Sequence, residues 1–462
     1  VTIALNNVPT GLSSIIQDRT LERRFHDALY KALLYRAEAV PELWQANLGD
    51  RMVFTKRGLM TPNTTALIPG KDPVLRSFDT EQWEAEARQH GDGISTHMPS
   101  SHVALASTFL SNTQALGLNA GQTLNRLARD EMFFAGLAGE AMAIAVAAAT
   151  ATTVRVTTLD GFTQVLVEGR LQPVSVTNPL PVTFTGGEPA NTVVGAAADD
   201  PALPGGQGTL TLGTAVASGV AVRDGVFAAN TTVRTRVGGG ATVDALVAGS
   251  ILTLDDVLAA VTRLRDMDVP PHADGRYHVH LTPQGEQQLF ADNQWQRLHQ
   301  SLPAGMAYRD FVVNDIVGCY FYRNTDSPNA ATVNAANIQT NPGGAGLATL
   351  APEIGGELTN AAGIVIRREL VTGGVPLYEK YIDESQYITQ AGVLGKIGQF
   401  SITNNGVAIM TNRIRYLLNA PQDGLQQIVN QFWSWSGDFI VPTDELTGDA
   451  ARYKKLVVIE HS

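Results

Sequence analysis

Apolar residues recur every fourth position across residues 20–36, where Leu21, Phe25, Leu29 and Leu33 are separated by Arg and Glu. That period predicts an amphipathic helix. A longer helix is predicted over 119–150. There Leu127, Phe134, Leu137, Ala141 and Ile144 fall mostly three or four apart, Asn119 is placed to cap the start, and no proline interrupts the run. About thirty residues at ~1.5 Å each make a rod of roughly 45 Å. Its second half carries small side chains almost throughout, so a closely packed neighbour is expected. A third helix starts after Thr253, which pairs with Asp256 as a capping box, and Leu254, Val257, Leu258, Val261 and Leu264 make one apolar face. A fourth covers 283–298.

Elsewhere the period drops to two. Residues 46–98 hold short β-type runs at 51–55 and 93–96 around a turn-rich middle, 59–72, with Pro62, Asn63, Pro69 and Gly70. This predicts a two-stranded excursion that rests on a neighbour, because an isolated hairpin is only marginally stable in water. From residue 151 the composition changes. Residues 152–249 contain no lysine, and Phe162, Phe184 and Phe227 are the aromatics. Alternating runs at 153–156 and 209–212 predict strands, and Asp160-Gly161 and Asp224-Gly225 predict hairpin turns. We read an inserted all-β module with a long loop at 190–208. Further strands are expected at 277–281, 311–322, 364–369, 398–403, 407–411, 427–441 and 455–460, with a Gly/Asn/Ala-rich surface stretch at 327–363.

Composition narrows the classes. The chain has 462 residues, 44% apolar and 17% charged. The charged share is below the usual ~25%, and there is ample apolar surface for a core. Lys+Arg 33 against Asp+Glu 44 gives a net charge of −11, which argues against binding nucleic acid by broad phosphate neutralisation. A single cysteine, Cys319, excludes an internal disulfide framework and a cysteine-rich zinc site. Residues 1–20 lack a basic start followed by an apolar run, so no secretory leader is expected. The longest apolar stretch, 135–149, carries Glu140 and is too short and polar to span a bilayer.

The search for chemistry yields no catalytic motif: no phosphate-binding loop, no nucleophile elbow, no paired-histidine metalloprotease helix and no calcium loop. His278 and His280 alternate on one predicted strand and with His272 form the best metal candidate. No carboxylate or cysteine completes that set at a useful spacing, so they are read as polar strand positions. Asp255 and Asp256 are read as stabilising a helix start. Trp433 and Trp435 share a strand face and are read as packing residues. Cys319 is read as a buried small hydrophobe, and Lys56 and Lys71 as solvated lysines of the excursion. No catalytic, cofactor or metal residue is assigned, and no enzymatic activity is expected.

The order of elements carries more information than any motif. An N-terminal helical arm, a β excursion, a rod helix, a mixed body and a late closing strand resemble the major capsid proteins of tailed bacteriophages, the Hong Kong 97 fold family. Thr253–Ala260, then Val269-Pro270-Pro271 and Tyr277–Pro283, resemble that family's body helix, strand and next helix start. Asp310-Phe311 through Gly318–Asn324 resembles its following strand, and Asn412–Tyr416 with 455–460 its closing segments. The resemblance implies an α+β, Hong Kong 97-like capsid fold. Residues 1–45 would be the N-terminal arm, 46–98 the extended loop, and 99–151 the peripheral domain with the spine helix. The inserted β domain would be 152–250, the peripheral/axial body 251–300, the mainly axial domain 301–400, and 401–462 the C-terminal strands that complete the body.

It further implies pentamers and hexamers closing an icosahedral shell, in the virion capsid, around double-stranded DNA held without strong specific binding. Assembly would occur in the bacterial host cytoplasm, without a membrane and without cofactors, beside scaffolding, portal and decoration proteins. Two alternatives stand beside it: an encapsulin-type nanocompartment shell, and a carbohydrate-binding or carbohydrate-active β-rich protein. The second lacks a suitable carboxylate pair.

Overall fold

The structure, a computed structural model, describes residues 25, 34–44, 49, 51–57, 66, 70–72, 80–103, 108–167, 170–199, 206–228, 234–300, 315–316, 318–324, 360, 362–383, 395–397, 400–403, 406–419, 424–425, 427–442 and 455–462. Apart from Phe25 and residues 34–36, the helix predicted at 20–36 lies outside them, as does most of 327–363 and of the excursion's middle.

In chain order, β1 (Ala39–Leu43), β2 (Arg51–Arg57), β3 (Thr80–Glu86) and β4 (Arg88–His97) precede helices α1 (Met98–Val103) and α2 (Thr108–Leu137). Then come β5 (Glu140–Met142), β6 (Thr153–Val156), β7 (Gln164–Val167), β8 (Arg170–Pro173), β9 (Leu180–Phe184), β10 (Asn191–Ala198), β11 (Gly208–Leu212) and β12 (Gly225–Ala228). β13 (Arg234–Arg236), α3 (Leu254–Asp266), β14 (Tyr277–Leu281), α4 (Pro283–Ala291), α5 (Asn293–Gln300), β15 (Asp315–Ile316) and β16 (Cys319–Arg323) follow. The chain closes with β17 (Arg367–Thr372), β18 (Leu377–Tyr381), β19 (Gly395–Ile397), β20 (Phe400–Thr403), β21 (Gly406–Thr411), β22 (Ile414–Asn419), β23 (Ile428–Ile440) and β24 (Leu456–His461). The protein is therefore α+β. No described helix is long and apolar enough to cross a membrane.

The chain divides into two compact units. The first comprises Val1–Met52, Glu84–Arg129 and Leu377–Ile440. Its eight-stranded sheet runs β1-β18-β23-β22-β21-β20-β19, with β4 also paired to β23. Along β23 the side chains alternate as period two requires: Val429, Gln431, Trp433 and Trp435 are buried, while Ile428 and Phe432 are exposed. The second unit comprises Val53–Trp83, Asp130–Pro376 and Val441–Ser462. It holds a six-stranded sheet β5-β12-β9-β10-β11-β6, the hairpin β7-β8, and a second six-stranded sheet β13-β24-β17-β14-β16-β15. Each large sheet of this unit has its own core. Val154, Phe162, Val182, Val193, Leu210 and Val226 pack in one; Val257, Val261, Val279, Leu289, Trp295 and Phe321 pack in the other. The strands β2 and β3 form a separate two-stranded sheet, with Phe54 stacked on Trp83 at 6.0 Å.

The rod helix is displaced from its predicted limits. It runs Thr108–Leu137 rather than 119–150. Its buried stripe of Leu116, Ala120, Leu124, Ala128 and Met132 follows a strict four-residue step. The predicted cap, Asn119, lies inside the helix, and its side-chain oxygen accepts the Trp433 indole N–H at 2.8 Å. The helix stops because Gly139 adopts φ 78°, the left-handed conformation that ends helices and that glycine tolerates. The Ala/Gly run beyond it is not helical. Glu140–Met142 enters the first sheet of the second unit, so that sheet begins before the composition change at 151.

Three smaller expectations also fail. Residues 190–208 are not a loop throughout, since Asn191–Ala198 forms β10 and pairs on both sides with β9 and β11. Neither Asp-Gly dipeptide joins a hairpin: β6 pairs with β11 and β12 with β5 and β9. The helix predicted at 283–298 is two helices separated at Asp292, whose carboxylate accepts N–H bonds from Gln294 (3.1 Å) and Leu254 (3.0 Å). By contrast, α3 matches its pattern. The Asp256 carboxylate accepts from the Thr253 N–H at 2.9 Å and the Thr253 hydroxyl at 2.6 Å, and Leu254, Val257, Ala260, Val261 and Leu264 are buried.

Candidate functional site

The histidines singled out in the sequence lie on β14 and the turn before it. Tyr277, Val279 and Leu281 enter the core beneath α3 and α4, so the intervening His278 and His280 occupy the other face. There they meet β16: His280 stacks on Tyr322 at 5.3 Å, and His278 stands edge-on to Tyr322 at 5.0 Å. His278 and His280 are thus neighbours in an aromatic row. The partner His278 gains is His272. The turn between them closes with His272 N–H to the Arg276 carbonyl (2.9 Å) and Gly275 N–H to the His272 carbonyl (2.8 Å). Gly275 supplies the φ of 78° that such a tight turn needs. The two imidazoles lie parallel, with centroids 3.7 Å apart and planes 6° apart.

A carboxylate absent from the sequence reading completes the group. Asp274 Oδ2 is 3.1 Å from His278 Nε2, and Asp274 Oδ1 accepts the Arg276 N–H at 3.0 Å. Partial burial pushes the Asp274 carboxyl upward. The hydrogen bonds from His278 and Arg276 and the nearby imidazoles outweigh it and hold the group below the usual carboxylate range. His272 Nε2 is 3.1 Å from Thr372 Oγ1 on β17. The legible signal was the spacing His-x-Asp-x-x-x-His across a Gly turn.

The other singled-out residues serve the fold. Asp256 caps α3 as described, and Asp255 accepts the Gln294 side-chain amide at 3.0 Å. Trp433 and Trp435 are 2% and 1% exposed and Trp435 stacks on Phe439 at 5.1 Å, so they are packing residues rather than a ligand platform. Cys319 is buried in the core with Trp295 and Phe321. Lys71 is exposed, and Lys56 lies in β2.

Two buried ionic groups escaped the sequence reading altogether. In the first unit, Glu379 receives Arg36 at 2.5 Å and Arg413 at 2.8 Å. Beside it, Asn125 of α2 accepts the Leu34 and Tyr35 N–H groups at 2.9 and 2.7 Å. Strand β1 then pairs in parallel with β18, and Lys380 of β18 binds Glu42 of β1. The segment around Arg36–Leu43 is thereby tied into the sheet at several points. In the second unit, Arg236 bridges Glu140 (2.5 Å) and Glu460 (2.7 Å), and Arg368 also reaches Glu460 at 2.9 Å. This joins the first residue of β5, the strands β13 and β17 and the last strand in one group of balanced charge. The two carboxylates outweigh the effect of burial and push the Arg236 guanidinium above its ordinary range. Close by, Glu369 accepts from Thr282 N–H (2.6 Å) and Oγ1–H (2.5 Å) and sits 2.9 Å from His461 Nε2.

No family profile matches the sequence, and no curated protein is detectably similar to it. Solved structures do match. A chain of the Cyanophage Pam1 capsid asymmetric unit aligns over 95% of this chain and 92% of its own length, with a TM-score of 0.50 at 10% identity. The capsid of Cyanophage P-SCSP1u aligns over 93% and 88% at a TM-score of 0.47 and 10% identity. The capsid of Ralstonia phage GP4 aligns over 93% and 91% at a TM-score of 0.45 and 13% identity. Resting on the first of these, with nearly the whole of both chains superposed, the chain has the fold of a phage capsid protein.

Proposed function

We propose that this chain is the major capsid protein of a tailed bacteriophage, with the Hong Kong 97-type plan, and that many copies close an icosahedral shell around double-stranded DNA. The observation that carries the reading is the full-length fold likeness to the Cyanophage Pam1 capsid chain. In this reading α2 is the spine helix, the β2–β3 pair belongs to the extended loop within 46–98, and residues 1–45 are the N-terminal arm. The peripheral domain comprises 99–151 and the strands of 401–462, 251–300 continues into the body, and 301–400 is mainly axial. We take the inserted β domain, read from composition as 152–250, to run from β5 to β12, a reading supported by the pairing of β5 with β12 and of β13 with β24. Work of this kind is mechanical and needs no catalytic group. The net charge of −11 suits a wall that encloses a polyanion without adhering to it.

The test is assembly of the purified chain, alone and with a scaffolding protein, followed by negative-stain electron microscopy. Closed particles tens of nanometres across support the proposal, and DNA rather than a protein cargo inside native particles separates it from a nanocompartment. A chain that stays monomeric under every condition overturns it.

A further inference from the structure

We propose that the Asp438 carboxyl makes the bend between β3 and β4 a pH-sensitive hinge, closed while the group holds its proton and loosened once it ionises. The ladder between β4 and β23 ends where Arg88 pairs with Gly437. The residue before, Ala87, belongs to neither strand, and ahead of it the chain pairs with β2 as β3. Asp438 closes this bend: its Oδ2 accepts the Glu86 N–H at 2.9 Å and its Oδ1 the Phe439 N–H at 3.0 Å. Glu86, Arg88 and Asp438 all belong to the first unit. The two sides of the bend differ in rigidity. Asp438 is fixed in β23, with Lys380 of β18 opposite it, and a Cβ on the neighbouring Gly437 would collide with the Lys380 carbonyl. Glu86 and Arg88 pair with each other at 3.0 Å, but their side chains are 44% and 61% exposed, and an ion pair so exposed holds little. The bend therefore yields on the Glu86 side, by losing the bond from its N–H.

Opening puts Asp438 in water, and its proton decides whether that is favourable. In the closed bend, burial pushes the carboxyl up to about 6, against its two N–H bonds and the Arg88 guanidinium, and the Glu86 carboxylate adds to the rise. Lys380, opposite Asp438 in the register, is engaged by Glu42 of β1. His90 of β4 lies beside Trp435, on the other face of the sheet. A wetted aspartate titrates at ~3.9, so the open bend binds the proton less tightly than the closed one. Closure has this support in full below the open-state value, loses it as pH rises, and levels off above about 6. Between pH ~4 and ~7 the opening constant rises about fiftyfold. Acidity thus sets how firmly the root of the β2–β3 pair is held.

The experiment is hydrogen exchange on the full chain, read by mass spectrometry with fragmentation that resolves the Glu86 amide, across pH ~4 to ~7.5 and corrected for the intrinsic exchange rate. Gln431, in the middle of β23 and paired on both sides, reports global opening. The Glu86 amide is expected to exchange faster than that of Gln431 throughout. Its protection should fall about fiftyfold from pH ~4 to ~7, and the fall should stop above about 6. Asp438→Asn, which cannot ionise, removes the dependence, and Asp160→Asn leaves it unchanged. Arg88→Gln moves the levelling point to higher pH and Glu86→Gln to lower pH, as the signs of their charges require. A carboxyl that only braced the bend would show neither displacement. Should Asp438→Asn fail to fold, the profile of the unaltered chain and the two charge variants decide. Glu86 protection that equals that of Gln431, is independent of pH in the unaltered chain, or keeps its slope in a folded Asp438→Asn overturns the proposal.

Discussion

Gly136, one residue before the end of α2, faces Val458 of β24 so closely that a Cβ on the glycine would stand 2.5 Å from Val458 Cγ2 and 3.1 Å from Leu456 Cδ1. Both β24 residues are fully buried. The helix tolerates a glycine there because the C-terminal strand occupies the space of its side chain. Gly136→Ala gains up to ~1 kcal/mol of helix propensity, but overpacking a filled core costs ~1–3 kcal/mol, and valine is too stiff to yield cheaply. The substitution should destabilise by about 1 kcal/mol net, read from the urea midpoint. Val458→Ala should also destabilise alone, yet the double variant should be less impaired than the two added, since the new methyl fills the space the valine leaves. Simple additivity would show that the two side chains do not compete for one volume.

The Arg236 group makes a second prediction. Arg236→Met removes from buried Glu140 and Glu460 the guanidinium that both contact. Breaking such a group by removing one partner costs ~3–5 kcal/mol. The same variant should regain part of its stability on acidification, because protonating a buried carboxylate removes charge that Arg236 had offset. Denaturation at two pH values checks both statements. A loss that does not shrink toward low pH would place the damage in lost packing instead.

These features explain what was legible. The α3 segment could be read because its cap, its face and its end are all local: Thr253, Asp256 and a four-residue apolar step lie within one window. Strand β24 showed as an apolar run, and β14 as alternation. The end of α2 was missed because Ala138 and the alanines after it favour helix locally, whereas Gly139 and the pairing of Glu140 with Phe227 are tertiary facts. Asn191–Ala198 was missed because Gly195 and three alanines carry almost no strand propensity, and β9 and β11 hold it in place. The ionic groups were invisible for the same reason, since Arg36 and Glu379 are 343 positions apart. Asp274 differs from these: it lies four residues before His278 and is local to the turn that carries both.

Asn412 and Arg413, at φ 47° and 68°, form the two-residue turn between β21 and β22. Both dihedrals fit the hairpin turn that matches strand twist, but arginine pays roughly 1–2 kcal/mol to sit there. Its ion pair to Glu379 and its place over the Tyr381 ring at 5.6 Å offset that cost. Arg413→Gly should therefore be close to neutral, within about 1 kcal/mol. Glu379→Gln, which also removes the carboxylate charge paired with Arg36, should be severe, at ~3 kcal/mol or more. Thermal unfolding of the pair decides it, and comparable losses in both would show that the turn depends on the ion pair more than on its dihedrals.

Two carboxyls make stability depend on pH in a stated direction. Burial pushes Asp438 up to about 6, against hydrogen bonds from the Glu86 and Phe439 N–H groups, and pushes Asp160 up to about 7, against one from Thr158. A carboxyl raised in the folded state binds its proton more tightly there than in the unfolded chain, where it titrates near ~3.9. The stabilisation is complete below the unfolded value and is lost as pH rises through the folded ones. Asp438→Asn should flatten the fall in the urea midpoint between pH ~4 and ~6, and Asp160→Asn should flatten it up to ~7. An unchanged slope in both variants would assign the fall to other groups.

The boundaries of the proposed inserted module give the last prediction. Strands β5 and β12 pair antiparallel with Met142 opposite Gly225, the Ala143 N–H bonds to the Asp224 carbonyl at 2.9 Å, and the Ala228 N–H bonds to the Gly139 carbonyl at 2.8 Å. Chain entering the module and chain leaving it are therefore adjacent strands, which a tight turn can join. Replacing 143–224 with Asn-Gly, a turn suited to two-residue hairpins, keeps Glu140 on Arg236 and Met142 in its small cluster with Val243, Leu246 and Ile366. The shortened chain exposes Val226 and Ala141 and loses the core around Phe162 and Leu210, but none of the core beneath α3 and α4. It should unfold in one cooperative transition within several degrees of the full chain, and a fragment of residues 139–228 should give a β-type circular dichroism spectrum with its own melt. If the shortened chain shows no cooperative transition while the fragment is unstructured, the two cores depend on each other and the insertion is not a separate folding unit.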